Sequence, residues 1–175
     1  MKKNVCILLF TFVTLALSAQ RNVDRTNFRA GLNGGAILGD FSDDYSFGLG
    51  LDMYHHWGVS KAMDIGVTAG FFNAFGEKEV INNGSSTLET EFANLQYVPI
   101  GASLRIYPGK NVGFKFGGDI GYVLGINEGN EGALYFRPSL GIDLRDGTNE
   151  FNVSYFVVND DVQFSSLVLS YLFLF

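Results

Sequence analysis

From residue 27 onward this chain repeats with a period of two, and that period limits the folds open to it. Eight runs of alternation occur at about 27–38, 46–57, 62–73, 92–107, 111–125, 133–145, 150–158 and 162–175. A period of two is that of strands, not helices. Between the runs lie connections rich in Gly, Asn and Asp, the residues of turns. One row of the alternation is greasy, for example Phe28, Ala30 and Leu32, then Phe47, Leu49, Leu51 and Met53, then Val98, Ile100, Ala102, Leu104 and Ile106. The other is glycine, small polar residues and scattered charges, as in Gly48, Gly50 and Asp52 or Gly113, Lys115, Gly117, Asp119 and Gly121.

The class of protein depends on which row faces inward. Eight strands closed into a barrel leave a narrow bore that side chains fill. Glycines, small polar residues and a few charges fit such a bore, whereas a Phe/Leu/Ile row overfills it unless the barrel widens into a lipocalin-like cup. An arginine facing lipid at mid-depth costs about 2–4 kcal/mol, and Arg29, Arg105 and Arg137 all fall on the glycine row. The expected fold is therefore all-β, an eight-stranded antiparallel up-and-down transmembrane β-barrel over 27–175. Most runs supply the roughly 9–11 residues that a tilted spanning strand needs.

Residues 1–19 read as a signal peptide, with Lys2 and Lys3, an apolar run over 5–17 and the small pair Ser18-Ala19. Residues 20–26 read as a short periplasmic segment. The apolar run is shorter than the ~20 residues of a spanning helix, and no later stretch is longer. Cys6, the only cysteine, lies in the leader, so the mature chain is expected to have no disulfide and no thiolate chemistry. The formal charge of −6 argues against nucleic acid as a partner, which requires a basic footprint.

On the inward row Arg29, Arg105, Lys115 and Arg137 face Asp52, Asp64, Asp119 and Asp143. Unpaired buried charges are costly, so these eight predict an internal network; the plainer reading is charges solvated by trapped water. Tracing the strands puts Arg29, Arg105, Asp64 and Asp143 near the end that holds both termini, and Lys115, Asp119 and Arg137 nearer the middle. Tight turns are expected near 58–61, 108–111 and 145–148. The opposite connections, near 39–45, 74–91, 126–132 and 159–161, carry Asp40, Asp43, Asp44, Glu77, Glu79, Glu89, Glu91, Glu128, Glu131, Asp160 and Asp161 against Lys78. Short turns face the periplasm in outer-membrane barrels, which places the termini there and the acidic rim outside. That rim reads as a solvated surface, or alternatively as one that bridges divalent cations to lipopolysaccharide or meets a basic partner.

Little in the sequence carries reaction chemistry. His55 and His56 are adjacent, so in a strand they point to opposite faces and cannot easily share a metal. With Tyr54, Trp57 and Tyr107 they read as an interfacial aromatic belt. No nucleophile elbow, Walker loop or dinucleotide fingerprint is present. No catalytic residue, cofactor or metal is expected.

The terminal run 167–175 is uncharged and ends on Phe175, with Leu169, Tyr171 and Phe173 on the same face. It resembles the last strand of bacterial outer-membrane barrels. In that family the segment is the signal read by the barrel-assembly machinery. Asn94-Leu95-Gln96-Tyr97-Val98-Pro99-Ile100 and Phe28-Arg29-Ala30-Gly31-Leu32-Asn33 resemble strands of the PorT-like "porin family" barrels, of the eight-stranded OmpA/OmpX-like type. The resemblance implies an outer-membrane protein in contact with lipid and lipopolysaccharide, structural or adhesive or accessory to an envelope or secretion complex, with an unnamed envelope partner. Eight strands exclude a wide pore. A lipid-modifying outer-membrane enzyme and a soluble lipocalin-like periplasmic carrier are the alternatives.

Overall fold

A computed structural model describes residues 26–82, 87–108, 113–127, 132–144 and 148–175. Residues 1–25, read above as a leader and a short periplasmic segment, the turn residues 109–112 and 145–147, and Glu128 and Glu131 lie outside the described residues. Ten strands follow one another: β1 (Thr26–Leu38), β2 (Tyr45–Ser60), β3 (Met63–Gly76), β4 (Lys78–Asn82), β5 (Thr87–Glu91), β6 (Leu95–Ile106), β7 (Phe114–Gly125), β8 (Leu134–Leu144), β9 (Asn149–Asn159) and β10 (Phe164–Leu174). Eight of them close an antiparallel barrel in the order β1-β10-β9-β8-β7-β6-β3-β2. The first and last strands seal it over the register Arg29↔Leu174 to Leu38↔Ser165, so the barrel itself has no unpaired edge. Among the described residues no helix is long and apolar enough to cross a membrane, a fact that does not bear on strands.

Two segments differ from the sequence reading. The long connection at 74–91 is partly structured, because β3 runs on to Gly76 and β4 and β5 then form a separate hairpin with Lys78↔Glu91 to Asn82↔Thr87 paired. Strands of five residues have too short an alternation to announce themselves. The first tight turn is also narrower: β2 continues to Ser60, which pairs with Met63, leaving only Lys61 and Ala62 at the tip.

The apolar row faces outward. Leu32 is 65% exposed, Ile120 63% and Leu134 63%, while Asp64 and Glu150 are 0% exposed. Inside, the bore has two kinds of filling. Toward the end that holds the longer loops, Ile37, Tyr45, Phe72, Ala74, Tyr97, Val123, Tyr135, Phe156, Val158, Phe164 and Val168 form an apolar core. The rings of Phe72, Tyr97, Tyr135 and Phe164 all meet Phe156 at centroid distances of 5.6–6.5 Å. Toward the end of the tight turns the filling is ionic. The sequence reading had only glycine and polar groups in the bore, and the aromatic core corrects it. Inward glycines make room for these rings: a Cβ on Gly48 would lie 2.4 Å from Phe72 Cζ, and one on Gly101 would lie 2.6 Å from Tyr135 Oη.

Candidate functional site: the ion network in the bore

Six charged side chains lie within the first or last few residues of their strands at the turn end: Arg29, Asp64, Arg105, Lys115, Asp143 and Glu150. Alternation aims each of them into the bore. Glu150 Oε2 is the hub. It accepts from Arg105 Nη1 at 2.8 Å, from Lys115 Nζ at 2.6 Å and from Arg29 Nη1. Asn152 Nδ2 donates to its other oxygen at 2.5 Å. Asp143 Oδ1 takes a second contact from Arg29 Nη1, 3.1 Å, and from Lys115 Nζ, 2.5 Å. Asp64 accepts from Tyr107 Oη at 2.8 Å. Within this layer three cations stand beside three carboxylates.

A second layer lies at mid-height. Arg137 Nη1 and Nη2 donate to the two oxygens of Asp52 at 2.7 and 2.8 Å. Arg137 Nε donates to Ser154 Oγ at 2.8 Å, and Ser170 Oγ donates to Asp52 Oδ2 at 2.9 Å. Tyr54 Oη donates to Asp119 Oδ2 at 3.2 Å. The Arg105 guanidinium stacks 4.8 Å from the Tyr54 ring centre, linking the layers. Taking an ion out of water costs several kcal/mol, and good geometry with saturated lone pairs is what offsets it. A planar fork on a carboxylate is the strongest such geometry.

Several residues sit elsewhere than the sequence reading had them. Tyr54 is not an interfacial aromatic: it is 5% exposed and faces the bore, because the row Gly48, Gly50, Asp52 continues through Tyr54 to His56. Tyr107 stands at the turn end but directs its hydroxyl inward to Asp64. Trp57 alone of the three faces outward, 44% exposed, with His55 edge-on at 4.6 Å. Lys115 belongs to the turn-end layer, not the middle, since β7 begins only at Phe114. The sequence reading missed Glu150, Ser154 and Ser170, and it placed His56, which is 0% exposed, in the interfacial belt. Glu150 opens its run beside a turn, and parity with Asn152 and Ser154 was the available signal. In the last strand Leu167, Leu169, Tyr171, Phe173 and Phe175 all face outward. Phe175 donates its backbone N–H to Phe28 at 2.9 Å, and their rings lie 6.0 Å apart.

His56 Nε2 lies 3.0 Å from Ser103 Oγ, the contact of a nucleophile and its base. Both are buried in the bore, and His56 Nδ1 has no hydrogen-bond partner. Among the described residues no acid orients the ring through Nδ1. Among the described residues no three His, Cys, Asp or Glu could hold a metal ion.

No protein-family model matches the sequence, and no curated protein sequence matches it. Solved structures do match. The backbone structure of the outer membrane protein Ail of Yersinia pestis in a phospholipid bilayer nanodisc aligns with a TM-score of 0.54 at 12% identity, covering 86% of this chain and 100% of that one. The crystal structure of Ail, the attachment invasion locus protein of the same organism, aligns with 0.54 at 14% identity, covering 86% and 97%. The likeness is one of fold. The chain is a closed eight-stranded antiparallel barrel.

Proposed function

We propose that this protein is an integral outer-membrane barrel with a filled interior, structural and adhesive in role rather than enzymatic or pore-forming. One observation carries the reading. Large apolar side chains cover the outside of the cylinder while four buried cations and five buried or half-buried carboxylates are packed within it. In water such a surface far exceeds the apolar patches soluble monomers tolerate, and a closed barrel is the one β-architecture that leaves no backbone group unsatisfied in lipid. A soluble carrier of lipocalin type needs the opposite polarity and an open cup. The aromatic core around Phe156 occupies the bore, which disfavours conduction.

The remaining parts of the reading follow from that embedding. The segment 1–19 acts as a cleaved leader, the tight turns and both termini face the periplasm, and the barrel-assembly machinery reads the outward face of the last strand through Leu169, Tyr171, Phe173 and Phe175. The PorT-like resemblance of the β6 segment belongs to the same proposal. An adhesive role is supported by the fold shared with an attachment protein and by exposed Asp40, Asp43, Glu77, Asp160 and Asp161 at the loop end. Such a rim would meet lipopolysaccharide through bridging divalent cations and suits a basic envelope or surface partner. Fractionation of expressing cells tests the core of the reading. The protein is expected in the outer membrane, extractable only with detergent and migrating differently before and after boiling. Recovery in the soluble fraction would overturn it.

A further inference from the structure

The outer wall of the barrel is not uniformly covered. On the turn-end half, two lateral rows cross four strands: Trp57↔Ile65↔Leu104↔Gly118 and His55↔Val67↔Ala102↔Ile120. Large side chains occupy most of these positions, but Ala102 and Gly118 leave the wall bare between Trp57, Ile65, Leu104 and Ile120. The result is a groove of about 390 Å³ on the outward face. Gly118 is close-packed from behind: a Cβ there would lie 3.0 Å from the Arg137 carbonyl oxygen and 3.1 Å from Pro138 Cα. Ala102 has no such constraint, so nothing in its backbone forbids a larger outward residue.

The groove opens where only the hydrocarbon of the leaflet nearer the turns reaches it. Trp57 stands at its lower margin, the position that indole rings take at a membrane interface. One strand-end beyond Trp57, at the tip of the β2–β3 turn, is Lys61. Lys61 is exposed, and it is the one exposed cation at this end among the described residues. It has no carboxylate partner among them. A strand advances about 3.3 Å per residue, so Lys61 lies roughly 13 Å from Trp57 along the chain, beyond the indole on the side of the lipid headgroups. We infer that this groove seats one acyl chain of an anionic glycerophospholipid of the periplasmic leaflet, with Lys61 meeting its phosphate. Charge complementarity selects that lipid over a zwitterionic one, and the bare wall at Ala102 and Gly118 supplies the contact for its chain. The inference rests on the membrane embedding proposed above.

Trp57 is the only tryptophan in the chain, so its fluorescence reports the groove directly. The full-length protein is refolded into vesicles of phosphatidylcholine containing either phosphatidylglycerol or phosphatidylcholine brominated in the acyl chains, and quenching is titrated. The anionic lipid is expected to associate about fivefold more strongly, the ratio one lysine near a lipid surface supplies. Lys61→Gln is expected to bring that ratio to about one, and Ala102→Phe to lower the quenching by both lipids while heat-modifiable mobility is retained. Equal quenching by the two headgroups in the wild type, or quenching unaltered by Ala102→Phe, overturns the site. Quenching that rises when the protein is diluted in lipid marks a second copy in the groove and overturns it as well. Failure of every brominated lipid to quench Trp57 sinks the membrane embedding itself.

Discussion

Arg137 and Asp52 join opposite walls of the barrel. Arg137 lies on β8 and Asp52 on β2, four strands apart in either direction around the circuit, and both terminal guanidinium nitrogens reach the carboxylate within 2.8 Å. Their side chains are 7% and 2% exposed. Such a brace fixes the bore's diameter at mid-height, and Ser154 and Ser170 saturate what the pair leaves open.

Removing one partner strands the other. Asp52→Ala is expected to destabilise the barrel by about 3–5 kcal/mol, the cost of an uncompensated buried charge. The double variant Asp52→Leu with Arg137→Met is expected to lose less than Asp52→Ala, since apolar replacements of both partners are often neutral. Urea unfolding in lipid vesicles, followed by Trp57 fluorescence, measures both. Additive losses would show that the pair does not act as a unit.

Glu150 receives three cations, so it is expected to be the most sensitive carboxylate in the turn-end layer. Glu150→Gln leaves Arg29, Arg105 and Lys115 facing Asp143 and Asp64, and is expected to cost about 3 kcal/mol or more. The exposed Asp160→Asn is expected to stay within about 0.5 kcal/mol of the wild type. Midpoints of urea unfolding compare the two.

How much of this was legible in the sequence depended on parity. Once one residue of a strand was assigned inward, every second residue followed, and the arginines fixed the sign. The same rule carried from Asp52 gives Tyr54 and His56, and from Ser154 gives Phe156. In the sequence Tyr54 and His56 read instead as an interfacial belt, because aromatic residues near a strand end also fit one. Glycine cannot tell the sequence reader what it makes room for; only the approach of Phe72 to Gly48 does so. The partners in the ion network were illegible for another reason: alternation fixes a face, but shear and closure decide which strands stand opposite.

Gly48 is expected to resist substitution for that reason. A Cβ 2.4 Å from the Phe72 ring forces the ring aside, so Gly48→Ala is expected to cost about 1–3 kcal/mol by overpacking. Phe72→Leu in the same background is expected to recover part of the loss. A double-mutant cycle on unfolding midpoints reads the coupling.

The aromatic core predicts electrical silence. Planar-bilayer recordings of the purified barrel are expected to show no steady, large single-channel current, since rings from β3, β6, β8, β9 and β10 meet in the bore. Sustained large conductance in the wild type would mean that this core opens.

Spin labelling along β10 puts the inverted polarity to its most direct test. With Cys6 replaced, single cysteines at Val168, Leu169, Ser170, Tyr171 and Leu172 are labelled in vesicles, and collisions with oxygen and with a water-soluble nickel complex are compared. Leu169 and Tyr171 are expected to be open to oxygen and closed to nickel, with Val168, Ser170 and Leu172 sheltered from both. Nickel access at Leu169 and Tyr171, or no alternation at all, would contradict a barrel greasy outside and ionic within.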